Sequence, residues 1–237
     1  MFNQLPPVVK NLIIINVLML LATQVFPEDF MKLFAGYYFL SPNFAPWQLV
    51  THMFMHGGLM HIVVNMFGLF MFGSTLEKVW GSKRFLIYYM ITGLGAFFLH
   101  FLVIHLQVSE LLEAMDPEIA DVVIREGAAL LPYENYRDPD MNQLNLLINS
   151  GVVGASGAVF GILLAFGMLF PNTELMLLFP PIPIKAKVFV FIYGAVELYY
   201  GLQNNPGDNV AHFAHLGGML FGYIVLKVWQ QKRNHFY

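Results

Sequence analysis

Six long apolar stretches run through this chain, and they restrict its fold more than any other feature of the sequence. A helix needs about 20 mostly apolar residues to cross the hydrocarbon core of a bilayer. Each stretch is close to that length, so we predict one membrane domain, residues 1–237, that folds as an all-α, polytopic bundle of six transmembrane helices. The stretches are approximately 9–26, 52–74, 85–106, 148–170, 186–203 and 209–229.

The composition excludes several other classes of protein. Only 11% of the residues are charged, against about 25% in a typical soluble domain, so an ordinary water-soluble fold is not expected. The formal net charge of −3 offers no basic surface for nucleic acid, and we expect no nucleic-acid partner. The absence of cysteine excludes disulfides, thiolate metal sites and cysteine nucleophiles.

Two polar connections separate the apolar stretches. Residues 27–47 are rich in aromatic side chains, which predicts a folded loop that lies partly in the membrane. Residues 107–147 hold most of the acidic residues of the chain. Within them, 108–131 has helical spacing of its apolar residues and predicts an amphipathic helix at the surface.

The distribution of Lys and Arg predicts the orientation in the membrane. With the N-terminus in the cytoplasm, nine of the 12 Lys and Arg lie on the cytoplasmic side, and only Lys32, Arg125 and Arg137 lie outside. We therefore expect both termini in the cytoplasm and both polar loops outside. The lack of cysteine and of an appended soluble domain is compatible with a bacterial inner membrane, which is the location we expect.

Four polar side chains share one depth in the predicted spans. Polar residues are costly inside a membrane and are functional candidates by default. At a rise of about 1.5 Å per residue, Ser156 and His215 lie roughly 9–12 Å below the outer edge and His61 about 13 Å below it. Asn65 follows one turn after His61. This layer, on three different helices, predicts a single functional site.

Small residues indicate how the fourth and sixth spans approach each other. Each span carries two glycines four residues apart, a step that allows close contact between membrane helices. Packing through these glycines would bring the Ser156 hydroxyl next to His215. Neutral histidine is the usual base that removes a serine proton near pH 7, so we predict Ser156 as nucleophile and His215 as its base. The glycines are Gly157 and Gly161 in the fourth span and Gly218 and Gly222 in the sixth.

His61 and Asn65 are predicted to stabilise the oxyanion that acyl transfer produces. They are four residues apart, about 40° around a helix, so the N–H groups of both side chains can point to one spot. The alternative is that both side chains form hydrogen bonds between helices. His56 falls on another side of the helix and is expected to support the loop above it.

Two residues have competing interpretations. Ser156 could be a small packing residue, because serine is common at contacts between membrane helices. Glu197, in the fifth span, could orient His215 as an acidic third member. We expect Glu197 instead near the outer end of its span, in contact with polar groups of a loop, and do not include it among the catalytic residues.

The histidines also invite a metal site. His52, His56 and His212 are the candidate ligands, and the histidine count makes a small transporter for a metal ion or protons an alternative function. Because zinc would need a third ligand and would block a serine site, we expect no metal.

Three motifs together resemble the rhomboid family of intramembrane serine proteases. The Gly-x-Ser-Gly motif alone is a weak signal, but all three in this order and in these spans are specific. The resemblance covers the six-span core from about 45 to 225. The motifs are HGGLMHIVVN at 56–65, GASG at 154–157 and AHLGGMLFG at 214–222.

The resemblance implies a rhomboid-like bundle and an endopeptidase that uses no metal or cofactor. Its substrates would be single-span membrane proteins, cut near the outer end of the transmembrane segment. A non-catalytic member of the family, which binds membrane clients, is the alternative. Ser156 and His215 would form a dyad without a carboxylate, His61, Asn65 and the backbone N–H of Ser156 would form the oxyanion hole, and Gly154, Gly157 and Phe160 would support the site.

Two positions differ from the pattern of the family. The family often has Trp-Arg where this chain has Trp47-Gln48, at the end of the first polar loop. Some members carry a tyrosine four residues after the nucleophile, stacked on the catalytic histidine. Phe160 holds that position here, so it can stack but has no hydroxyl.

Overall fold

The computed structural model describes residues 5–131, 133–176, 181–203 and 210–234. Regular structure in these ranges is helical apart from two short antiparallel strands, β1 (Glu174–Met176) and β2 (Pro183–Lys185). A 3-10 turn, His52–Phe54, and a π-helical segment, Leu69–Gly73, complete the elements. The helices are α1 Pro7–Val25, α2 Pro27–Phe34, α3 Gln48–Thr51, α4 Leu59–Gly68, α5 Ser74–Trp80, α6 Ser82–Ala114, α7 Pro117–Leu130, α8 Pro139–Asn149, α9 Ser156–Leu169, α10 Ala186–Gln203 and α11 His212–Asn234.

Three helices among the described residues are long and apolar enough to cross a membrane. They are α1, the continuous rod Leu59–Trp80 that contains α4 and α5, and α6. α9 is also apolar but has only 14 residues. The predicted all-α, polytopic membrane fold is confirmed, whereas the count of six spans and the orientation remain predictions.

Several helix bounds agree with the apolar stretches. α10 covers the fifth stretch, 186–203, and α1 covers most of the first. α6 continues to Ala114, so the third helix extends eight residues beyond its predicted end at 106. α11 overlaps the sixth stretch from 212 and continues five residues beyond its predicted end at 229, to Asn234, while residue 209 lies outside the described residues.

The predicted starts of the second and fourth helices, at residues 52 and 148, are wrong. α4 begins only at Leu59, and α9 begins only at Ser156 after a segment without helix at 150–155. In that segment Val152 pairs with Gly36 through two backbone hydrogen bonds of 2.8 and 2.9 Å. These bonds join parts of the chain that are far apart in sequence, so the hydropathy of residues 148–155 gives no sign of them.

The described residues of 107–147 form a helical layer with an apolar core of its own. The single helix predicted over 108–131 is divided after Ala114, because Pro117 starts a new helix and the Asp116 side chain accepts a hydrogen bond from the Glu118 N–H at 2.8 Å. The apolar side chains of this layer pack against the end of α6 and the 27–47 loop. The core consists of Tyr38, Ile104, Val108, Ala120, Val123, Leu144 and Ile148.

The 27–47 loop is folded, as predicted, and a buried glutamine fixes its end. The Gln48 amide nitrogen donates to the carbonyl oxygens of Lys32 at 3.2 Å and Asn43 at 2.8 Å. The Gln48 side-chain oxygen accepts from the Ala45 N–H at 3.0 Å. Gln48 therefore anchors the loop through polar contacts, at the position where the family it resembles often has arginine.

Helices α6, α9 and α11 pack against one another with little space between their backbones. A Cβ atom on Gly218 of α11 would overlap the backbone of Gly157 in α9, and a Cβ on Gly222 would lie 3.4 Å from the Gly161 Cα. Tyr88 of α6 donates its hydroxyl to the Gly161 carbonyl at 2.8 Å. The four glycines therefore lie at the contact between α9 and α11.

Candidate active site

The candidate site residues meet where three helices begin. Ser156 is the first residue of α9, His61 the third of α4 and His215 the fourth of α11. Both helices start later than predicted, so Ser156 and His61 are not eight and nine residues into their helices. Their depths in the membrane remain predictions. The side chains still meet, since each lies in the first turn of its helix.

Ser156 and His215 are in hydrogen-bond contact. Ser156 Oγ lies 2.9 Å from His215 Nε2, within the range of about 2.6–3.2 Å for a nucleophile and its base. Phe160, one turn after Ser156, stacks on the His215 ring with centroids 4.2 Å apart and an interplanar angle of 6°. His215 is only 8% exposed, so these neighbours fix the orientation of its ring.

A carboxylate lies on the other side of His215. Glu197 Oε2, in α10, lies 2.9 Å from His215 Nδ1 and 2.6 Å from His212 Nδ1. The expectation that His215 has no carboxylate partner is therefore wrong. The expected contact of Glu197 with the loop that follows α10 falls on residues 204–209, which lie outside the described residues. The sequence did indicate Glu197 as a functional candidate, because it is an ionisable residue inside an apolar span. Glu197 lies in the second half of α10 and His215 in the first turn of the next helix, α11.

His61 faces the site with a ring N–H. The Gly57 N–H donates to His61 Nδ1 at 3.3 Å, so in the neutral ring Nδ1 is the acceptor and the proton is on Nε2. Gly154 lies against this side of the ring, and a Cβ there would be 2.9 Å from His61 Nε2 and 3.4 Å from Ser156 Oγ. Gly154 has a φ of 133°, which also favours glycine.

Two more N–H groups are near the start of these helices. The first N–H groups of a helix lack an intrahelical partner, so the Ser156 N–H at the start of α9 can donate to another acceptor. Asn65 is buried and donates one Nδ2 hydrogen to the His61 carbonyl at 2.9 Å, which leaves its second amide hydrogen for another acceptor. Among the described residues, the Asn65 side chain forms no hydrogen bond with Ser156 or His215.

His52 and His56, the other two histidines of the second stretch, are both buried. His56 is 1% exposed and packs edge-on against His61, with ring centroids 5.0 Å apart. His52 donates its Nδ1 hydrogen to the Gln48 carbonyl at 2.8 Å. His56 therefore packs directly beside His61, a candidate site residue. The ring of His52 instead forms a hydrogen bond at the end of the first polar loop.

The histidines that invited a metal site do not come together. Within the described residues, the one group with metal-type ligand atoms close to one another is Glu197, His212 and His215, whose atoms lie within 4.8 Å. His52 and His56 are not part of it. The hydrogen bonds among these three side chains account for their closeness without a metal ion.

A small cavity lies beside Ser156. Its volume is about 20 Å³, and about 10–15 Å³ is enough to hold one water molecule. Its lining includes His52, Gly154, Ser156 and Ala214. A water molecule at this place would be next to the nucleophile.

Comparison with known proteins gives one consistent family. Residues 43–231 match the family model of the Rhomboid domain. RHOMBOID-like protein 6, mitochondrial, of Arabidopsis thaliana is 28% identical over 79% of this chain and 48% of its own length. Rhomboid protein 1, mitochondrial, of Saccharomyces cerevisiae is 25% identical over 78% of this chain and 44% of its own. Rhomboid-like protease 3 of Toxoplasma gondii is 33% identical over 27% of this chain and 24% of its own.

The chain spans about half the length of the first two relatives and less of the third. The names of the first two place those proteins in mitochondria, so the expected bacterial inner membrane receives no support from them. The match to the Rhomboid domain covers most of the chain and includes every residue of the candidate site. This multi-pass membrane protein therefore belongs to the rhomboid family.

Proposed function

We propose that this chain is an intramembrane serine endopeptidase, with Ser156 as nucleophile and His215 as general base. The observation that carries the proposal is the 2.9 Å contact between Ser156 Oγ and His215 Nε2. Membership of the rhomboid family supports the same class of activity, as does the name of the Toxoplasma relative, Rhomboid-like protease 3.

The arrangement suits acyl transfer to serine. Ser156 Oγ attacks the carbonyl carbon of a peptide bond while its proton passes to His215 Nε2. The imidazolium then gives this proton to the leaving amine nitrogen as the C–N bond breaks. Water, deprotonated by the same ring nitrogen, hydrolyses the ester on Ser156, releases a carboxylate and restores the serine.

Three donors are proposed to bind the oxyanion of these steps. They are the Ser156 backbone N–H, the His61 Nε2 hydrogen and an amide hydrogen of Asn65. The Ser156 N–H is at a helix start, where the helix dipole also favours negative charge. Loss of one such donor lowers the rate of an acyl-transfer enzyme by about 10²- to 10³-fold.

The position of the site supports a membrane-spanning substrate. Ser156, His61 and His215 all lie in the first turn of their apolar helices. A peptide bond inside a transmembrane helix is protected by internal hydrogen bonds, and helix ends fray most readily. We therefore propose single-span membrane proteins as substrates, cleaved near the outer end of the transmembrane segment.

Labelling with a fluorophosphonate probe tests the proposed nucleophile. We expect the purified protein, in detergent or lipid, to be modified at Ser156, as located by mass spectrometry, and the Ser156→Ala variant to remain unlabelled. Ser150→Ala is a matched control, since Ser150 is exposed and begins the non-helical segment 150–155 that precedes Ser156. A folded wild-type protein that stays unlabelled contradicts the proposal and favours a family member that only binds membrane clients.

A further inference from the structure

We propose that Glu197 is a positioning residue of this site, so that Ser156, His215 and Glu197 act as a triad. The inference rests on the proposed function, because it concerns how the base of that reaction is held. The observation behind it is that one imidazole contacts a hydroxyl and a carboxylate with its two nitrogens. His215 Nε2 lies 2.9 Å from Ser156 Oγ, and His215 Nδ1 lies 2.9 Å from Glu197 Oε2.

These two contacts select one tautomer of His215. A carboxylate can only accept hydrogen bonds, so the Nδ1 atom that faces Glu197 carries the ring proton. In a neutral imidazole the other nitrogen then has a free lone pair. That lone pair is on Nε2 and points to the Ser156 hydroxyl, which is the arrangement that removal of the serine proton requires.

The carboxylate also suits the charge that develops during the reaction. When Nε2 takes the proton of Ser156, His215 becomes a cation. Glu197 and His215 are each 8% exposed, so water screens their attraction little. Glu197 stays ionised throughout, and the proton continues from Nε2 to the leaving amine nitrogen without passing to the carboxylate.

His212 holds the carboxylate in this position. Its Nδ1 donates to the same oxygen, Glu197 Oε2, at 2.6 Å. The His212 ring is itself stacked on Tyr200, with centroids 5.7 Å apart and an interplanar angle of 22°. Glu197 therefore accepts hydrogen bonds from two residues of the first turn of α11, three positions apart, which restricts its rotamer and keeps it in contact with His215.

A packing role alone does not account for a glutamate at this position. A buried charge is expensive, and an apolar side chain of similar volume usually gives a protein of equal or higher stability. Among the described residues, Glu197 pairs with the imidazoles of His212 and His215 and not with a Lys or Arg. One of those imidazoles belongs to the proposed base, His215. The reaction therefore gives a reason for a buried carboxylate that lowers the stability of the fold.

The test compares Glu197→Gln with wild type in the cleavage of a single-span membrane substrate. We expect kcat to fall by about 10²- to 10⁴-fold, as in other triads in which the carboxylate is replaced by an amide. KM should stay nearly unchanged, because Glu197 contacts His215 and not the substrate. Glu118→Gln is the matched control, since Glu118 is exposed on α7, and it should cleave at the wild-type rate.

The Glu197→Asp variant separates the effect of the negative charge at this position from the effect of side-chain length. It keeps the carboxylate but shortens the side chain by one methylene, so we expect a kcat between those of wild type and Glu197→Gln. If Glu197→Gln retains the kcat of wild type, or if the Asp and Gln variants are equally impaired, the inference is overturned.

The tautomer of His215 provides a readout that does not depend on any Glu197 variant folding. In ¹⁵N NMR of the wild-type protein in micelles, the His215 resonances are those missing from the spectrum of His215→Asn. We expect a protonated Nδ1 and an unprotonated Nε2 at neutral pH. A proton on Nε2 instead would overturn the inference even if the variants could not be purified.

Two results separate the failure of this inference from other failures. If wild type neither cleaves nor reacts with the fluorophosphonate, the proposed function itself has failed. If wild type is active but loses activity with EDTA and regains it with Zn²⁺, Glu197 is a metal ligand, and the positioning role is overturned. The inference expects activity that EDTA does not change.

Discussion

Gly218 of α11 lies directly against the backbone of Gly157 in α9. The contact is one residue away from Ser156 and three residues away from His215. With no side chain between the helices at this point, their backbones come close enough for Ser156 Oγ and His215 Nε2 to be 2.9 Å apart. The distance between nucleophile and base therefore depends on a pair of glycines that take no part in the chemistry.

Gly218→Ala should separate these two groups. The added methyl would overlap the Gly157 carbonyl oxygen, which is backbone and can yield only if the helices move apart. We expect cleavage to fall by about 10²-fold, the usual effect of a displacement of about 1 Å in an active site. The loss is measured as kcat on a single-span substrate.

Gly194→Ala is the matched control for this change. It places a methyl in α10, where the nearest atom is the flexible end of Met219 at 3.2 Å. Alanine is also the better helix former, so stability should be retained or improved. Equal activity of the Gly218→Ala and Gly194→Ala variants would show that the glycine contact does not set the geometry.

Gly154→Ala should lower both stability and activity. Its φ of 133° strains any side chain, at a cost of about 1–3 kcal/mol. The new Cβ would also press on His61 Nε2 at 2.9 Å. Thermal unfolding in detergent and kcat report the two effects, and Gly58→Ala should show neither, since a Cβ there meets nothing within 4 Å. A Gly154→Ala protein with wild-type kcat would argue against His61 as an oxyanion donor.

Cleavage should decline as the pH is lowered. Protonation of His215 at Nε2 removes the lone pair that accepts the Ser156 proton, so the protonated fraction is inactive. The measurement is kcat against pH with a substrate that has no titratable side chain near the cleaved bond. Unfolding temperatures at the same pH values separate this effect from acid unfolding. A rate that rises towards acid pH would be inconsistent with His215 as a general base.

Glu77 caps the start of α1 from a distant part of the chain. Its two carboxylate oxygens accept the N–H groups of Val8 at 3.0 Å and Val9 at 2.8 Å. Glu77 is 2% exposed, so Glu77→Ala leaves buried donors without an acceptor and should cost about 1–3 kcal/mol of stability. Unfolding in detergent measures this loss, with the exposed Glu28→Ala as control. Variants of equal stability would show that the cap contributes nothing.

The sequence predicts the class of fold and the identity of the central pair for clear physical reasons. Apolar length specifies membrane helices without knowledge of their neighbours, which is why the bounds of α10 agree with the fifth stretch. Glycines four residues apart specify close helix contacts in the same local way. The proximity of Ser156 and His215 follows from these two features together.

Features that depend on distant contacts could not be predicted in this way. Residues 150–155 are apolar, yet the pairing of Val152 with Gly36 and the bond from the Gly154 N–H to the His52 carbonyl exclude helix there. The partner of Glu197 is set by the packing of α10 against α11, and no spacing within one helix reveals it. The start of α9, and hence the position of Ser156 at a helix terminus, follows from the same long-range contacts.

Cleavage of a single-span membrane protein by purified wild type and by Ser156→Ala tests the central claim most directly. The substrate is reconstituted with each enzyme in liposomes, and the products are located by mass spectrometry. Wild type should cut near the outer end of the transmembrane segment, and Ser156→Ala should leave the substrate intact. Cleavage by Ser156→Ala at the wild-type rate would contradict the account.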